Sequence, residues 1–498
     1  MSKKYMAVIF AIVIIFCTLT ACSSSKNNNE QHTLVIQTTT QLVTDTSGFK
    51  LSYSQSDSLN PFESDTLNNQ VVQNLVFESL FVLDESYEAQ PQLATSYEYS
   101  DGNTLLVNIS SGNQFSDGST IDAKSVVYSF EQAKASPHWG NSLKAISSAS
   151  AVSSNEIKFN LSHPNPYAHK LLTFAIAKSK NDKKGYPIGS GRYKFGEGNG
   201  IVFLEVNSNK ADFNPHFTKI PLVNITSAES IENAINIGNI SYAYRDLAEA
   251  STAKIKSNKK AVNLNNLVYI GVNNYAGITA NEYIRRAISL AVDREALVKS
   301  AYQGYARSAT SVFNSASAIG KQTAVFDKTA DTAAARQAVA QSGYEEKDLK
   351  LDILINSNAY RIGAARLIKQ QLETVGFKVT INEENNKVYQ SKVKSNSFNI
   401  YIGETKIPND MSLNSFFTAK GSTSYGIDVG SNQTAKAYRE YLSAESEIGS
   451  FILSFSQEMP FIPLLYRQGM ICYAKSLHGD MQGYADNYFS NIENWYYN

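Results

Sequence analysis

Four phrases between Leu59 and Ala123 decide how this chain is read: Leu59-Asn60-Pro61-Phe62, Gln92-Leu93-Ala94, Tyr97-Glu98-Tyr99-Ser100-Asp101-Gly102 and Phe115-Ser116-Asp117-Gly118-Ser119-Thr120-Ile121-Asp122-Ala123. After the first phrase, Val71, Val72, Leu75, Val76 and Leu80 recur at helical spacing. Beyond Gly102, Leu106 and Asn108 alternate with Val107 and Ile109, as in a half-buried strand. Asp117-Gly118 supplies a tight turn, because glycine tolerates positive φ. Asp122 stands where its carboxylate can cap a helix that buries Val126, Val127 and Phe130. Together these pieces make a small α+β subdomain.

Outward from it the chain continues as strands and helices, with no internal repeat. Ile157–Leu161 alternates as a strand, and Pro164, Pro166 and Tyr167 break it into a loop. Gly189-Ser190-Gly191-Arg192-Tyr193-Lys194-Phe195 is glycine-rich, but a phosphate loop must open a helix, and here the strand Ile201–Val206 follows. A hairpin entering a sheet is the expectation. From Glu282 to Ala306, Ile284, Ala287, Ile288 and Ala291 form one apolar helix face, and Asp293 caps a second helix carrying Leu297 and Ala301. Arg285, Arg286, Asp293 and Arg294 read as a cap with solvated or locally paired charges. A βαβ unit follows, with strand Leu349–Ile355, helix Tyr360–Val375, Gly376 as C-cap and strand Phe377–Ile381. Phe398–Ile402 adds a strand, Thr434–Phe455 further helix, and Pro460–Tyr466 a last apolar run.

In their order these phrases resemble the family 5 solute-binding proteins, the peptide-binding subunits of bacterial ABC importers. That family reads approximately "leucine, small polar, proline", then "LAxSWExSDDG", then "FxDGxPxxAxDVxxS". Ile284–Val298 with Gly304 is similar to its "vRrAlsxAiDRexiv...G", and Pro460–Tyr466 to its "xPxiPLy". Where the family has "GTGPY", Ser190 and Arg192 depart from it. The resemblance implies an α/β, two-lobed periplasmic-binding-protein-like fold, with an extra α+β subdomain at about 60–185 in the N-terminal lobe. Lobe 1 would join 33–268 with 468–498, and lobe 2 would be 269–467. Strands crossing between lobes would make a hinge that closes over a ligand. The implied function is capture of oligopeptides and their delivery to a permease with its ATPase subunits.

The N-terminus says where capture would occur. Lys3 and Lys4 precede an apolar run from Met6 to Leu19, which has the form of a secretory signal peptide. The run ends in Leu19-Thr20-Ala21-Cys22, the pattern read by lipoprotein signal peptidase, so 1–21 is the expected signal and Cys22 the lipidated residue. Residues 22–32 are polar and read as a flexible tether. The expected location is the outer face of the cell membrane. Of Cys17, Cys22 and Cys472, only Cys472 stays in the folded body, so no internal disulfide is expected. The 498 residues carry 45 basic and 45 acidic side chains, a balance that gives no field for nucleic acid. With 43% apolar residues the chain can build two or three domains, and a monomer without cofactor or metal is expected.

Family members hold a peptide as an added strand, through main-chain hydrogen bonds. By that resemblance Ser54, Gln55 and Ser56 lie where an edge is offered to the peptide. His138 and Trp139 match a place where an aromatic enters the cleft, with surface packing as the other reading. Glu404, Thr405, Lys406 and Asp410 follow the strand Phe398–Ile402, where the family has a tryptophan, absent here, and then an acid for the peptide ammonium. Asp410 is placed ahead of Glu404 because it follows Pro408 in a projecting loop; solvated loop charges are the alternative for both.

The rival class is a surface hydrolase, but the chain contains no His-Glu-x-x-His, Gly-x-Ser-x-Gly or Cys-x-x-Cys. His163 and His169 flank a proline-bearing loop without further metal ligands nearby in sequence. The same fold holding a metal chelate, heme or sugar, and a surface peptide sensor, remain as alternatives.

Overall fold

A computed structural model describes residues 48–248, 255–484 and 487–498. The signal sequence, Cys22 and the tether lie outside the described residues.

The subdomain forms as its sequence dictates. Ala94–Asp101, Thr104–Ile109, Glu156–Leu161 and Ile146–Ala151 make a four-stranded antiparallel sheet in that spatial order. Leu105, Val107 and Ile109 are buried, and the helix Ala123–Ala135 packs over this sheet with Val126 and Phe130 inward. Asp122 caps that helix: its carboxylate accepts from the Ser125 N–H at 2.9 Å, and the Ser125 hydroxyl accepts from the Asp122 N–H. Gly189 and Gly191 lie against the end of helix Leu67–Val76, where a Cβ on Gly189 would sit 2.1 Å from the Val76 carbonyl oxygen. The chain then enters the hairpin Tyr193–Gly198 and Ile201–Val206, as expected.

One eleven-stranded sheet runs through the rest of the molecule. From one edge its path is Lys378–Glu384, Lys350–Asn356, Ile400–Lys406, Asn258–Val272, Phe461–Tyr473, Tyr242–Arg245, Leu51–Tyr53, Lys219–Asn224, Ile201–Val206 and Tyr193–Gly198; Ala306–Ser308 pairs beside this path with Phe461–Tyr473. The βαβ unit closes in parallel, Lys350 to Asn356 against Lys378 to Glu384, with Gly376 at φ 104° ending the helix between them.

Two large apolar cores lie along this sheet. The first gathers residues from Phe49 to Val262 and from Ile471 to Trp495; the second gathers Leu267 to Tyr466, with Leu83 and Tyr87 reaching into it. Asn258–Val272 and Phe461–Tyr473 pair with each other and cross from one core to the other. Their ladder breaks between Asn263 and Leu267, where the cores change over. A bulge there locally disrupts the pairing and bends the strand.

Two expectations need correction. Arg285 and Arg294 are neither solvated nor paired with carboxylates, but buried against backbone carbonyls. Arg294, 2% exposed, donates to the carbonyls of Pro463, Ser289 and Asp327 and to the Ser289 hydroxyl. Glu404, Thr405 and Lys406 do not follow a strand; they are its last residues, since the strand runs Ile400–Lys406. Its central position against Asn258–Val272 carries the pairing further than the apolar run alone indicated.

Candidate functional site

Parallel strands bring their carboxyl ends to the bulge from both sides. Leu51–Tyr53 runs parallel to Lys219–Asn224 and Tyr242–Arg245; Lys350–Asn356 runs parallel to Ile400–Lys406. Arg245 pairs with Met470, which stands opposite Ala261, whereas Lys406 pairs with Asn266. The two sets therefore end within a few residues of one another, at the crevice where open α/β sheets bind ligands.

Charge fills this junction. Arg467, whose side chain is 3% exposed in the crossing strand, donates to Glu404 at 2.6 Å and to Asp246 at 2.8 Å. Burial pulls its pKa down, but Glu404 and Asp246 outweigh that and hold it above the ordinary arginine value. The bulge contributes too: Asn266 donates to Glu404 at 3.0 Å, and Asn263 accepts from Gln468 and Arg307. Arg361, in the first turn of helix Ala359–Glu373, reaches Glu404 at 3.5 Å. Asn358, capping the same helix, donates to the Ala248 carbonyl beyond Tyr242–Arg245.

A second contact joins the halves away from the charged junction. Asp410 is buried; it accepts from the Asn165 amide at 2.7 Å and from the Ser412 N–H at 3.0 Å. Desolvation raises its pKa, with those hydrogen bonds opposing. Lys170, which acts on it at longer range, is bonded to Glu88. Around this pair, His163 meets Asn414, Tyr441 donates to Tyr167, and Asn409 donates to Thr173. His169 is held neutral, its pKa lowered to about 4 by burial and by Lys170, and shares a hydrogen bond with Tyr99. The two histidines thus serve separate polar contacts. Among the described residues no group of three or more His, Cys, Asp or Glu side chains is placed to hold a metal.

The expected site residues fall into distinct places. His138 and Trp139 border a cleft of about 290 Å³ together with Phe77, Glu78, Gln92 and Arg192, and Trp139 also packs edge-on against Phe62. The cleft extends to Thr173, at the second contact. Ser54, Gln55 and Ser56 leave the carboxyl end of Leu51–Tyr53; the Ser54 N–H donates to Asn69 and the Gln55 N–H to Asn224, while the Ser54 and Ser56 hydroxyls share a bond. Glu404 lies in the charged junction, and Thr405 and Lys406 pair with Leu267 and Asn266. Asp410 does not project from a loop as expected; it is buried in the second contact, where Asn165 and Ser412 hold it.

Sequence reading missed Asp246, Arg361, Arg467 and the asparagines of the bulge. The available signal was an arginine inside the apolar run Phe461–Tyr473, and Asn263-Leu264-Asn265-Asn266 inside a strand otherwise rich in apolar residues.

Residues 88–426 match the profile of the bacterial extracellular solute-binding proteins, family 5, middle region. The glutathione-binding protein GsiB of Shigella flexneri serotype 5b is 23% identical over 342 residues, covering 65% of this chain and 66% of that protein, just under two thirds of the relative. Among solved structures, the unliganded open form of the murein tripeptide-binding protein MppA aligns over 90% of this chain and 97% of its own, with TM-score 0.74 and 17% identity. NikA from Brucella suis in complex with Fe(III)-EDTA aligns over 90% of this chain and 100% of its own, with TM-score 0.67 and 19% identity. At such identities these structures share the two-lobed fold with this chain. Family 5 proteins are the ligand-binding components of ABC transporters, not enzymes, and this chain belongs to that family.

Proposed function

We propose that this protein captures a peptide between its lobes, 33–268 with 468–498 and 269–467, and delivers it to a membrane permease and its ATPase. Cys22 carries a lipid that holds it, as a monomer, at the outer face of the cell membrane. One observation carries the reading: two sets of parallel strands end facing one another across a bulged pair of crossing strands, which is where a hinge closes over a ligand. The cleft beside His138 and Trp139, lined by residues of 33–268 and 468–498, gives side chains room. Among relatives and neighbours, GsiB and MppA are named for glutathione and a tripeptide, which supports a short peptide.

The peptide ammonium is assigned to Asp410. Glu404 already has a cation in Arg467, whereas Asp410 is a buried carboxylate bonded to an amide and an N–H. An ammonium taking the place of Asn165 would compensate a charge that burial now leaves costly. Native mass spectrometry of the purified protein identifies what co-purifies, and a metal chelate or sugar there would overturn the peptide reading. Calorimetry then compares a bound peptide with its N-acetylated form. Acetylation should cost on the order of 2 kcal/mol in wild type and in Glu404→Gln, and much less in Asp410→Asn. Equal binding of both forms to wild type removes the assignment. For the anchor, Cys22→Ala should abolish metabolic lipid labelling and release the protein from membranes; persistent labelling would refute it.

A further inference from the structure

Three hydrogen-bonding atoms beside the hinge are buried and have no partner among the described residues: the Tyr302 hydroxyl, the Tyr360 hydroxyl and Nε of Arg361. Most buried polar atoms in folded proteins are bonded, so three orphans in one place call for an explanation. They do lie in one place. Tyr302 ends the turn Leu297–Ala301, which packs on helix Ala359–Glu373, and its ring stacks on Tyr360 with centroids 5.0 Å apart and planes 8° from parallel. Arg361 follows Tyr360 in the chain. The charges acting on Tyr302 are Glu404, Arg361 and Arg467; those acting on Tyr360 include Arg467 and Asp246. These are the charges of the junction.

The group they want is an acceptor. An arginine N–H only donates, and a hydroxyl with no acceptor has a proton to give. Charge points the same way. Glu404 commits Oε1 to Arg467 at 2.6 Å and to Asn266 at 3.0 Å, and its other oxygen is 3.5 Å from Arg361. Arg361 otherwise donates Nη1 to the neutral Asn356 side chain, at 2.9 Å. Its positive charge is thus the least compensated in the junction, with Nε unused. A carboxylate brings four lone-pair sites and one negative charge, enough for both hydroxyls and for the guanidinium edge. A ligand ammonium would meet two arginines instead.

We infer that the lobe junction at Tyr302, Tyr360 and Arg361 is a subsite for a carboxylate of the bound ligand, reached when the lobes part and enclosed when they close. The assignment rests on the peptide reading and adds to it the end opposite the ammonium. It makes the three orphans complementary to something absent from the folded chain itself.

The test uses the full-length protein and a synthetic library of tri- to pentapeptides, prepared as free acids and as C-terminal amides, with native mass spectrometry as readout. Wild type should retain the acids at least about tenfold better than the amides. The double variant Tyr302→Phe/Tyr360→Phe should lose most of that preference. Thermal unfolding is measured alongside, because removing two unsatisfied hydroxyls leaves the ligand-free protein as stable as wild type or more so. Unchanged stability with a lost acid preference establishes the subsite; unchanged or raised stability with the acid preference intact shows that the hydroxyls meet only buried water and overturns it. Retention of acids and amides alike by wild type also overturns it, while leaving peptide capture standing. Retention of neither form defeats the peptide reading, and the subsite with it.

Discussion

Asp410 keeps a carboxylate where water does not reach, and its behaviour with pH follows from that. Its native pKa is raised by desolvation, so the folded protein binds this proton more readily than the unfolded chain. A raised native value contributes stability that is fully present below the unfolded pKa and is lost as pH rises through the native one. At neutral pH the ionised group is therefore a liability. Asp410→Asn keeps an oxygen for Asn165 and Ser412 and removes the charge. The variant should show a higher urea midpoint than wild type near pH 7, and the advantage should shrink on acidification toward the ordinary carboxylate range near 3.8. Parallel curves for the two proteins across that window would mean that the carboxylate is solvated. Arg294 is the opposite case at this scale: burial lowers its pKa to about 10, with the Asp327 charge opposing, so it remains a cation at neutral pH, and carbonyl oxygens on three segments accept from it.

At the scale of elements, the close approach of the Gly189–Gly191 segment to helix Leu67–Val76 sets a narrow tolerance. A methyl at Gly189 meets backbone, the Val76 carbonyl, and the ring of Phe77, so one element has to move. Gly189→Ala should cost about 1–3 kcal/mol in chemical denaturation, and a cost near zero would show that the segment slides freely. Features of this kind separate what the sequence discloses from what it hides. The cap at Asp122, the strand Thr104–Ile109 and the unit from Lys350 to Glu384 are legible because their signals are local: a carboxylate three residues from its N–H, alternation of period two, and a glycine after a helix. Arg285 and Arg294 lie on a legible helical pattern, yet Arg285 donates to the Glu458 carbonyl and Arg294 to that of Pro463, each more than 160 residues away, and no periodicity announces such partners. The charged junction is hidden for the same reason, since Asp246, Arg361, Glu404 and Arg467 come from four separate segments. His138 and Trp139 were visible only through the family resemblance, because neither spacing nor composition distinguishes a cleft aromatic from a packed one.

For the whole molecule, Arg467 is the side chain that ties both halves to the strand crossing between them. Arg467→Ala would leave Glu404, 18% exposed in its side chain, without its closest cation, and Asp246, 38% exposed, largely to solvent. Most of the loss therefore comes from Glu404. A destabilisation of roughly 3–5 kcal/mol is expected for breaking a buried pair, with small-angle scattering reporting a larger radius of gyration as the halves part. An unchanged radius together with lost stability would assign Arg467 to folding alone.

The first core also constrains the order of events in making the protein. Phe49, near the start of the described chain, stacks on Phe217 and meets Trp495 edge-on, while Tyr242 packs against both Phe489 and Trp495. That core stays open until Trp495 has emerged, whereas every member of the second core precedes Arg467. A nascent chain stopped after Tyr466 would carry a half-built N-terminal lobe with Tyr242 and the side of Phe49 that meets Trp495 uncovered, prone to sticking and needing protection. The tail from Leu477 onward thus acts as a release signal written in packing: protease resistance of the N-terminal half should appear abruptly, and only when the chain is allowed to run past Trp495.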